Sequence, residues 1–230
     1  MSPRRSVADA RQTRAAIVAR GVHVASIEGL QGLTIGRLAA DLGLSKSGLL
    51  GHFGSKEALQ LEVVDAAAEV FTREVADRAA GTAPGMPKLL AMCAAWVSYL
   101  ERGVFPGGCF FTAAATEFDD RHGPVRDAIA GLNSLWERDL RRQIRIAVSA
   151  GDLPSDTDAD QVVFELVGLM LALNRALQLY RDRAAPERAR RAMSRLLGRP
   201  LLPTLLDPVG RSDLGAAAGE PAQARGWAWS

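Results

Sequence analysis

The sequence contains few of the residues on which catalysis, metal binding and disulfide scaffolds depend. It has two cysteines and three histidines, and aromatic residues make up 6% of the chain. Cys93 and Cys109 have neither the spacing of a zinc site nor that of a disulfide framework, and both lie among apolar residues, so we expect buried free thiols. His23, His52 and His122 are scattered, with no nucleophile–base motif and no glycine-rich phosphate loop. The sequence therefore predicts no enzyme, no bound metal and no cofactor.

Long apolar runs are also missing from the chain. The longest, from Leu166 to Leu173, is far shorter than the roughly 20 residues that cross a bilayer. The arginines near the start of the sequence are not followed by the apolar stretch of a secretory signal peptide. We therefore expect a cytoplasmic protein that has no membrane partner.

The formal net charge is only +2, but the charges are unevenly distributed. Residues 1–59 contain eight lysines and arginines against four acidic residues, whereas the rest of the chain is slightly acidic. A basic first quarter on an acidic body suits a part of the protein that faces phosphate groups. The distribution favours a nucleic acid as the partner of that quarter.

Residues 33–57 have the pattern of two short helices joined by a tight turn. Thr34 occupies an N-cap position, and apolar residues follow it at the spacing of one helical stripe. Gly43 breaks the pattern where a left-handed residue is favourable, and Ser45 caps a second short helix. Small polar groups remain at the outer start of this second helix. A pair of helices of this kind is typical of a helix-turn-helix that reads the major groove of DNA.

The stretch from Thr34 to Leu59 also carries a family resemblance. Its pattern, T-I-x-x-L-A-x-x-L-G-L-S-K-x-x-L-x-x-H-F-x-S-K-E-x-L, resembles the N-terminal domain of the tetracycline-repressor (TetR) family of bacterial regulators. The resemblance covers about residues 11 to 65, a quarter of the chain. It implies that the remainder is an all-helical domain that binds a small molecule and forms a homodimer, which releases DNA when the small molecule binds.

The candidate DNA contacts come from the motif and from the resemblance together. Lys46 can meet either a guanine or a phosphate. The family often has an aromatic pair where this chain has Leu50 and Gly51; here Leu50 can contact a thymine methyl group, and Gly51 lets the backbone approach DNA closely. The positions that resemble the family's phosphate contacts are Thr34, His52 and Lys56. The complete predicted set is Thr34, Ser45, Lys46, Ser47, Gly48, Leu50, Gly51, His52 and Lys56.

Periodicity along the chain predicts an all-α protein of about nine helices. We expect a flexible basic arm at residues 1–10, a helix-turn-helix domain at 11–60, and a helical domain at 61–199 to which the resemblance assigns effector binding and dimerisation. Residues 200–230 are rich in glycine, alanine and proline and are expected to be disordered. The helices predicted outside the helix-turn-helix pair span 11–28, 55–80, 86–102, 109–118, 124–150, 157–183 and 186–198.

Aromatic residues of the helical body are candidates for an apolar ligand pocket. Simple core packing explains each of them equally well, and the pocket is expected chiefly because of the resemblance. The predicted ligand-binding residues are Trp96, Tyr99, Phe110, Phe111, Glu117 and Trp136. The segment from Glu117 to His122 could hold a divalent cation, but we expect Asp119 and Asp120 instead to favour the positive end of the helix that begins at Pro124.

The helix predicted over 157–183 carries a heptad seam of apolar residues. Other apolar residues lie off the seam, so the helix should be buried on two sides, one against its own body and one against a partner subunit. Burial entirely within one subunit is the alternative. The last helix offers a matching narrow stripe. The predicted dimer-interface residues are Val163, Leu166, Met170, Leu173, Leu177, Tyr180, Ala192 and Leu196.

These patterns predict a DNA-binding transcriptional regulator that is located at the nucleoid. By resemblance it is a homodimeric repressor, and an unknown small organic effector releases it from double-stranded operator DNA. The alternative is an architectural or chromosome-binding protein of the same fold that has no small-molecule effector.

Overall fold

The computed structural model describes residues 3–201, and their side chains from residue 8 onward. This part of the chain has nine α-helices and no β-strand, as the sequence predicts. The helices are α1 (Pro3–Glu28), α2 (Ile35–Leu42), α3 (Lys46–Phe53), α4 (Lys56–Phe71), α5 (Met86–Glu101), α6 (Phe110–Phe118), α7 (Pro124–Ser149), α8 (Ala159–Gln178) and α9 (Ala185–Leu197). None of these helices is both long and apolar enough to cross a membrane.

The first three helices and the start of α4 pack together as a head. The side-chain oxygen of Thr34 caps α2 by accepting the N–H of Arg37 at 3.2 Å. Gly43 ends α2 in the left-handed region at φ 65°. Ser45 then caps α3 by accepting the N–H of Gly48 at 3.0 Å. These three caps fix the turn between α2 and α3 as the sequence predicts.

The other helices form the body, with α5 at its centre. This helix contacts α7, α8, α9 and the segment that follows α4, and most of its side chains are buried. The bounds of α5, α6, α7 and α9 agree within one residue with the predicted helices. The segment after α4 is a π-helical turn (Thr72–Ala76) followed by a 3-10 turn (Asp77–Ala79), where the sequence predicts continuous α-helix.

Two predictions about the ends of the chain are wrong within the described residues. α1 begins at Pro3, so residues 3–10 form helix where a flexible arm is predicted. Proline suits a first helical turn, and the arginines and alanines that follow are good helix formers. Leu201 was assigned to the disordered tail but is buried, and its N–H donates to Ser194 Oγ at 2.8 Å. The rest of the predicted arm (residues 1 and 2) and tail (202–230) lies outside the described residues.

Helix α8 is shorter than the predicted 157–183. Its first turn is capped by Asp158, whose carboxylate accepts the N–H groups of Asp160 and Gln161 at 2.9 and 3.2 Å. The helix ends at Gln178, and Arg181 then has φ 53°, in the left-handed region. A residue of that conformation cannot continue a right-handed helix, so the apolar pattern extends beyond the helix itself.

The head rests on the body at more than one place. Helix α4 runs from the head into the body, where it packs against α7. In addition, the loop between α5 and α6 lies directly on the end of α1, because Gly107 touches the backbone there. A Cβ atom added to Gly107 would overlap the carbonyl oxygen of Ser26. Only glycine leaves room for this approach of two backbones.

We expect Gly107→Ala to lower the free energy of unfolding by about 1–3 kcal/mol, because the methyl group forces the loop away from α1. Chemical denaturation measures the change. Gly131→Ala is the matched control: Gly131 lies within α7, where an added Cβ meets no described atom within 4 Å, so this variant should be slightly more stable than the natural protein. Equal effects of the two substitutions would contradict the described contact.

Candidate functional site

The outward side of α3 is small and polar, and it contains no acidic residue. Leu49 and Phe53 are buried on the inner side, where they hold the helix against the head. The residues predicted to contact DNA from this helix and its cap lie together on the outer side and are exposed. They are Ser45, Lys46, Ser47, Gly48, Leu50 and Gly51. A surface with this composition can approach a polyanion closely.

Lys46 is positioned by the helix that precedes α3. A Cβ atom on Gly36 of α2 would lie 3.2 Å from Cε of Lys46, so the lysine stem crosses α2 at the glycine. Gly51 lies in open space, because an added Cβ there would meet no described atom within 4 Å. Gly36 therefore makes room for the Lys46 side chain, whereas Gly51 leaves the exposed surface of α3 without a side chain.

The remaining predicted DNA contacts, Thr34, His52 and Lys56, surround this surface. The Lys56 ammonium donates to the carbonyl oxygen of Gln31 at 2.8 Å, and it has two further N–H donors. His52 is half-buried, and its carbonyl oxygen accepts a hydrogen bond from Arg14. Thr34 is exposed beside the cap that it forms.

Several arginines of the head are engaged in ion pairs within the protein. Arg20 pairs with Asp41 at 2.7 Å, and Arg37 reaches the same carboxylate at 3.2 Å. The hydrogen bond and the charge of Arg20 hold the pKa of Asp41 below its usual range. Arg14 is paired with Glu62 across α1 and α4. These arginines stabilise the packing of the head, whereas Lys46 has no carboxylate within ion-pair distance among the described residues.

The body contains a cavity of about 400 Å³ between five helices, α4 to α8. Three of the predicted ligand-binding residues, Trp96, Phe111 and Trp136, line it. Phe71 of α4 completes the aromatic wall, and its ring meets that of Trp136 edge to face with centroids 5.2 Å apart. The rings of Trp96 and Trp136 meet in the same way at 5.3 Å. This volume and composition suit a small organic molecule.

Polar residues occupy another part of the cavity wall. α6 contributes threonines and an aspartate at helical spacing, and α7 contributes an asparagine and two acidic residues. They are Thr112, Thr116, Asp119, Asn133, Glu137 and Asp139. The indole N–H of Trp136 is buried and has no hydrogen-bond partner among the described residues. Such a donor on a cavity wall favours a ligand that presents an acceptor.

Three predicted ligand-binding residues do not line the cavity. Tyr99 and Phe110 are buried behind the wall, where the Tyr99 ring packs against Phe71 with centroids 5.5 Å apart. Burial raises the pKa of the Tyr99 phenol well above its usual range. These two residues support the aromatic wall without facing the cavity. Glu117 has a different position altogether.

Glu117 joins the body to the head. Its carboxylate accepts the backbone N–H groups of Leu30 and Gln31, in the turn between α1 and α2, at 2.7 and 2.8 Å. A Cβ atom on Gly29 would lie 2.9 Å from this carboxylate, and Gly29 has φ 83°, so glycine is required for the approach. From the other side, Gln60 of α4 donates to the carbonyl oxygen of Leu30 at 2.8 Å. Glu117 of α6 therefore binds the N–H groups of the turn, and side chains of α4 bind the carbonyl oxygens of the turn.

The predicted dimer seam lies largely inside the subunit. Four of the predicted interface residues are buried against their own body and cannot contact a partner: Val163, Leu166, Met170 and Leu173. For these four the prediction is wrong, and the alternative, burial within one subunit, is correct. The exposed residues Phe164, Gly168 and Leu171 of α8 lie three or four residues apart, and Leu171 also lines the cavity. Phe164 is 74% exposed.

The other predicted interface residues lie at the surface or close to it. Tyr180 is exposed, and Leu177 is half-buried. Ala192 and Leu196 of α9 border a shallow groove that α9 forms with α8, next to Gly168. These four residues, unlike the buried seam, are accessible to a second molecule.

A helix-turn-helix head on an all-helical body that contains a cavity is an arrangement suited to a DNA-binding regulator. A family model described as bacterial regulatory proteins of the tetR family matches residues 17–63. A second model, the tetracyclin repressor-like C-terminal domain, matches residues 85–193. The chain belongs to the tetracycline-repressor family, whose members are transcriptional regulators and not enzymes. No curated protein matches the chain.

Solved structures of similar regulators share the fold over most of the chain. A TetR transcriptional regulator from Chloroflexus aurantiacus J-10-FL is 26% identical, with a TM-score of 0.74 over 83% of this chain and 94% of that one. A TetR-family regulator from Cytophaga hutchinsonii is 21% identical, with a TM-score of 0.72 over 83% and 95%. AibR, solved with isovaleryl coenzyme A and operator DNA, is 20% identical, with a TM-score of 0.60 over 70% and 85%.

Sequence reasoning missed several residues of the cavity wall, among them Phe71, Glu137 and Asp139. Positions 132, 136 and 139 on α7 have the spacing of a single helical face, which could have indicated Asp139, whereas no such spacing indicates Phe71 of α4. That face of α7 mixes polar and apolar residues, so it does not stand out as an amphipathic stripe. Phe164 was noted only as lying off the heptad seam.

We expect Glu117→Gln to speed amide hydrogen exchange at Leu30 and Gln31 by about 10-fold or more, because charge-assisted bonds to both N–H groups are lost. Mass spectrometry or NMR of the exchanging protein gives the rates. Asp120→Asn removes a charge three residues away on an exposed side chain and should leave these rates unchanged. Unchanged exchange in Glu117→Gln would exclude the carboxylate as the clamp of this turn.

Proposed function

We propose that the protein is a homodimeric repressor that binds operator DNA through α3 and is released when a small organic effector enters the cavity. The observation that carries the proposal is the position of α6. One face of this helix lines the cavity, through Thr112, Thr116 and Asp119, while Glu117 of the same helix holds the α1–α2 turn of the head. We place the protein in the cytoplasm, at the nucleoid.

The DNA-facing part of the proposal rests on the outer surface of α3. Ser45, Lys46 and Ser47 lie at the start of the helix, where backbone N–H groups and side chains can meet phosphates and base edges. Leu50 and Gly51 continue the same exposed side one turn later. Lys56 and Thr34 flank this surface and are assigned to phosphates. With Gly48 and His52, these residues make up the predicted DNA-binding set.

Dimerisation supplies the second reading helix that a specific operator requires. The proposed interface is the outward face of α8, from Phe164 to Leu171, together with Ala192 and Leu196 of α9. A large exposed phenylalanine favours association, since a twofold contact would bury it in both subunits. Leu177 in the last turn of α8 and Tyr180 just after the helix extend the contact.

Release requires that the effector bind one head arrangement more tightly than the other. A ligand between α6 and α7 acts directly on the wall helix that holds the turn at Leu30 and Gln31. A small shift of α6 therefore moves α1 and α2, and with them the direction of α3. Since both subunits respond, the separation of the two reading helices changes and no longer matches the two half-sites.

Binding to the duplex that flanks the protein's own gene tests the DNA-binding part. We expect a preference of about 10³-fold or more over a scrambled duplex, and a loss of about 10-fold or more in Lys46→Ala, measured by fluorescence anisotropy. Lys88→Ala, which removes the same charge from α5 of the body, is the matched control and should bind normally. Equal binding to both duplexes would favour the architectural alternative.

The dimer has its own test in Phe164→Glu. We expect the dimer dissociation constant to rise about 100-fold or more, because each subunit would bury a charge at the contact. Analytical ultracentrifugation measures the association. Ser134→Glu adds the same charge to an exposed position of α7 and should leave the dimer intact. A Phe164→Glu protein that sediments as the natural dimer would refute this interface.

A further inference from the structure

The charges on the wall of the cavity are of one sign. Three acidic residues line it, Asp119 at the end of α6 and Glu137 and Asp139 on α7. The lining residues include no lysine, arginine or histidine. The wall therefore attracts cations and repels anions. The apolar surface beside the carboxylates strengthens both effects, because charges interact more strongly there than in water.

These carboxylates are not used in the ion pairs that the described residues form. Other acidic residues of the body are paired with arginines, as Glu74 is with Arg102 at 2.8 Å. None of the three on the cavity wall has an arginine or lysine within ion-pair distance among the described residues. Asp139 accepts only a weak hydrogen bond from Gln143 at 3.3 Å. The structure thus leaves the negative charge of the wall uncompensated.

The arginines of α7 lie elsewhere. Arg138, Arg141, Arg142 and Arg145 border a separate shallow depression on the outside of the helix. Arg141 is paired there with Asp160 of α8. Between residues 137 and 145, α7 therefore carries its arginines on the outer side and Glu137 and Asp139 on the cavity wall.

The aromatic wall complements this charge. Phe71, Trp96 and Trp136 meet edge to face, so their ring faces point in different directions. The face of an aromatic ring, tryptophan above all, attracts a cation within about 6 Å. A cavity that combines aromatic faces with carboxylates can bind an apolar molecule with one positive charge in a way that neither group achieves alone.

We propose that the effector is an organic cation with an apolar or aromatic body. The inference rests on the proposed function, in that the cavity is taken as the effector site, and it narrows the class of molecule that occupies it. Positive charge on the ligand is balanced by Glu137, Asp139 and Asp119, and its apolar part contacts the rings. An anionic ligand would meet three negative charges and no cation on the wall. Isovaleryl coenzyme A, which was solved with AibR, carries several phosphates, so we do not expect a ligand of that kind in this cavity.

Two ions of the same shape and opposite charge, tetraphenylphosphonium and tetraphenylborate, test the proposal. Isothermal titration of the full chain should show tighter binding of the cation by about 10-fold or more. The double variant Glu137→Gln/Asp139→Asn should weaken binding of the cation by about 10-fold and leave the anion unaffected or bound more tightly. Asp127→Asn, on an exposed side chain in the first turn of α7, is the control and should change neither affinity.

Several outcomes would overturn the inference. These are binding of the anion as tightly as the cation, binding of neither ion, or a preference for the cation that persists in the double variant. The same compounds are also titrated into the complex of the protein with operator DNA, and release of the DNA is measured. This second titration separates the cation site from the release mechanism. If the cation binds in the cavity but DNA is not released, the release mechanism fails while the cation site stands. If a neutral or anionic compound releases DNA and the cation does not bind, release stands and the cation site fails.

Discussion

A carboxylate of the body and two backbone N–H groups of the head form the contact that gives the molecule its working geometry. Without Glu117, the side-chain hydrogen bonds to the turn between α1 and α2 would come only from α4, and α6 would lose its hydrogen bonds to the head. Hydrogen bonds of this kind are directional, so the position of α6 specifies the position of the turn. Gly29 and Gly107 make the same junction possible by removing Cβ atoms that would hold the two parts apart.

The segment after α4 is irregular at the point where α4 reaches the cavity. Helix α4 begins in the head, at the cap formed by Ser55, and ends in the body at Phe71, whose ring is part of the cavity wall. There the backbone changes to a π-helical turn. Such turns inside helical segments often occur at functional sites. Two helices that border the cavity also reach the head. Helix α4 does so because it runs from the head into the body, and α6 does so through the Glu117 side chain.

The head could be predicted from the sequence because its signals are local. Thr34, Gly43 and Ser45 each determine a cap within a few residues, and their hydrogen bonds have the expected partners. The heptad on α8 was placed on the wrong side because a 3.5-residue period indicates a buried face without saying what covers it. The seam from Val163 to Leu173 is covered by the subunit's own helices.

The cavity and the junction could be predicted only in part. Trp96, Phe111 and Trp136 were indicated as aromatic residues of the body, but sequence spacing does not show which rings from separate helices meet around a space. Glu117 was chosen as a polar group near the aromatics. Its partners are 86 and 87 residues earlier in the chain and are backbone groups, which carry no sequence signature.

The ion pairs within the head have a consequence for non-specific binding to DNA. Arg14, Arg20 and Arg37 are bound to carboxylates, so three of the eight lysines and arginines of residues 1–59 are neutralised within the protein. Non-specific attraction to DNA comes from counterions displaced by such cations. The head should therefore bind DNA of random sequence more weakly than its count of basic residues suggests.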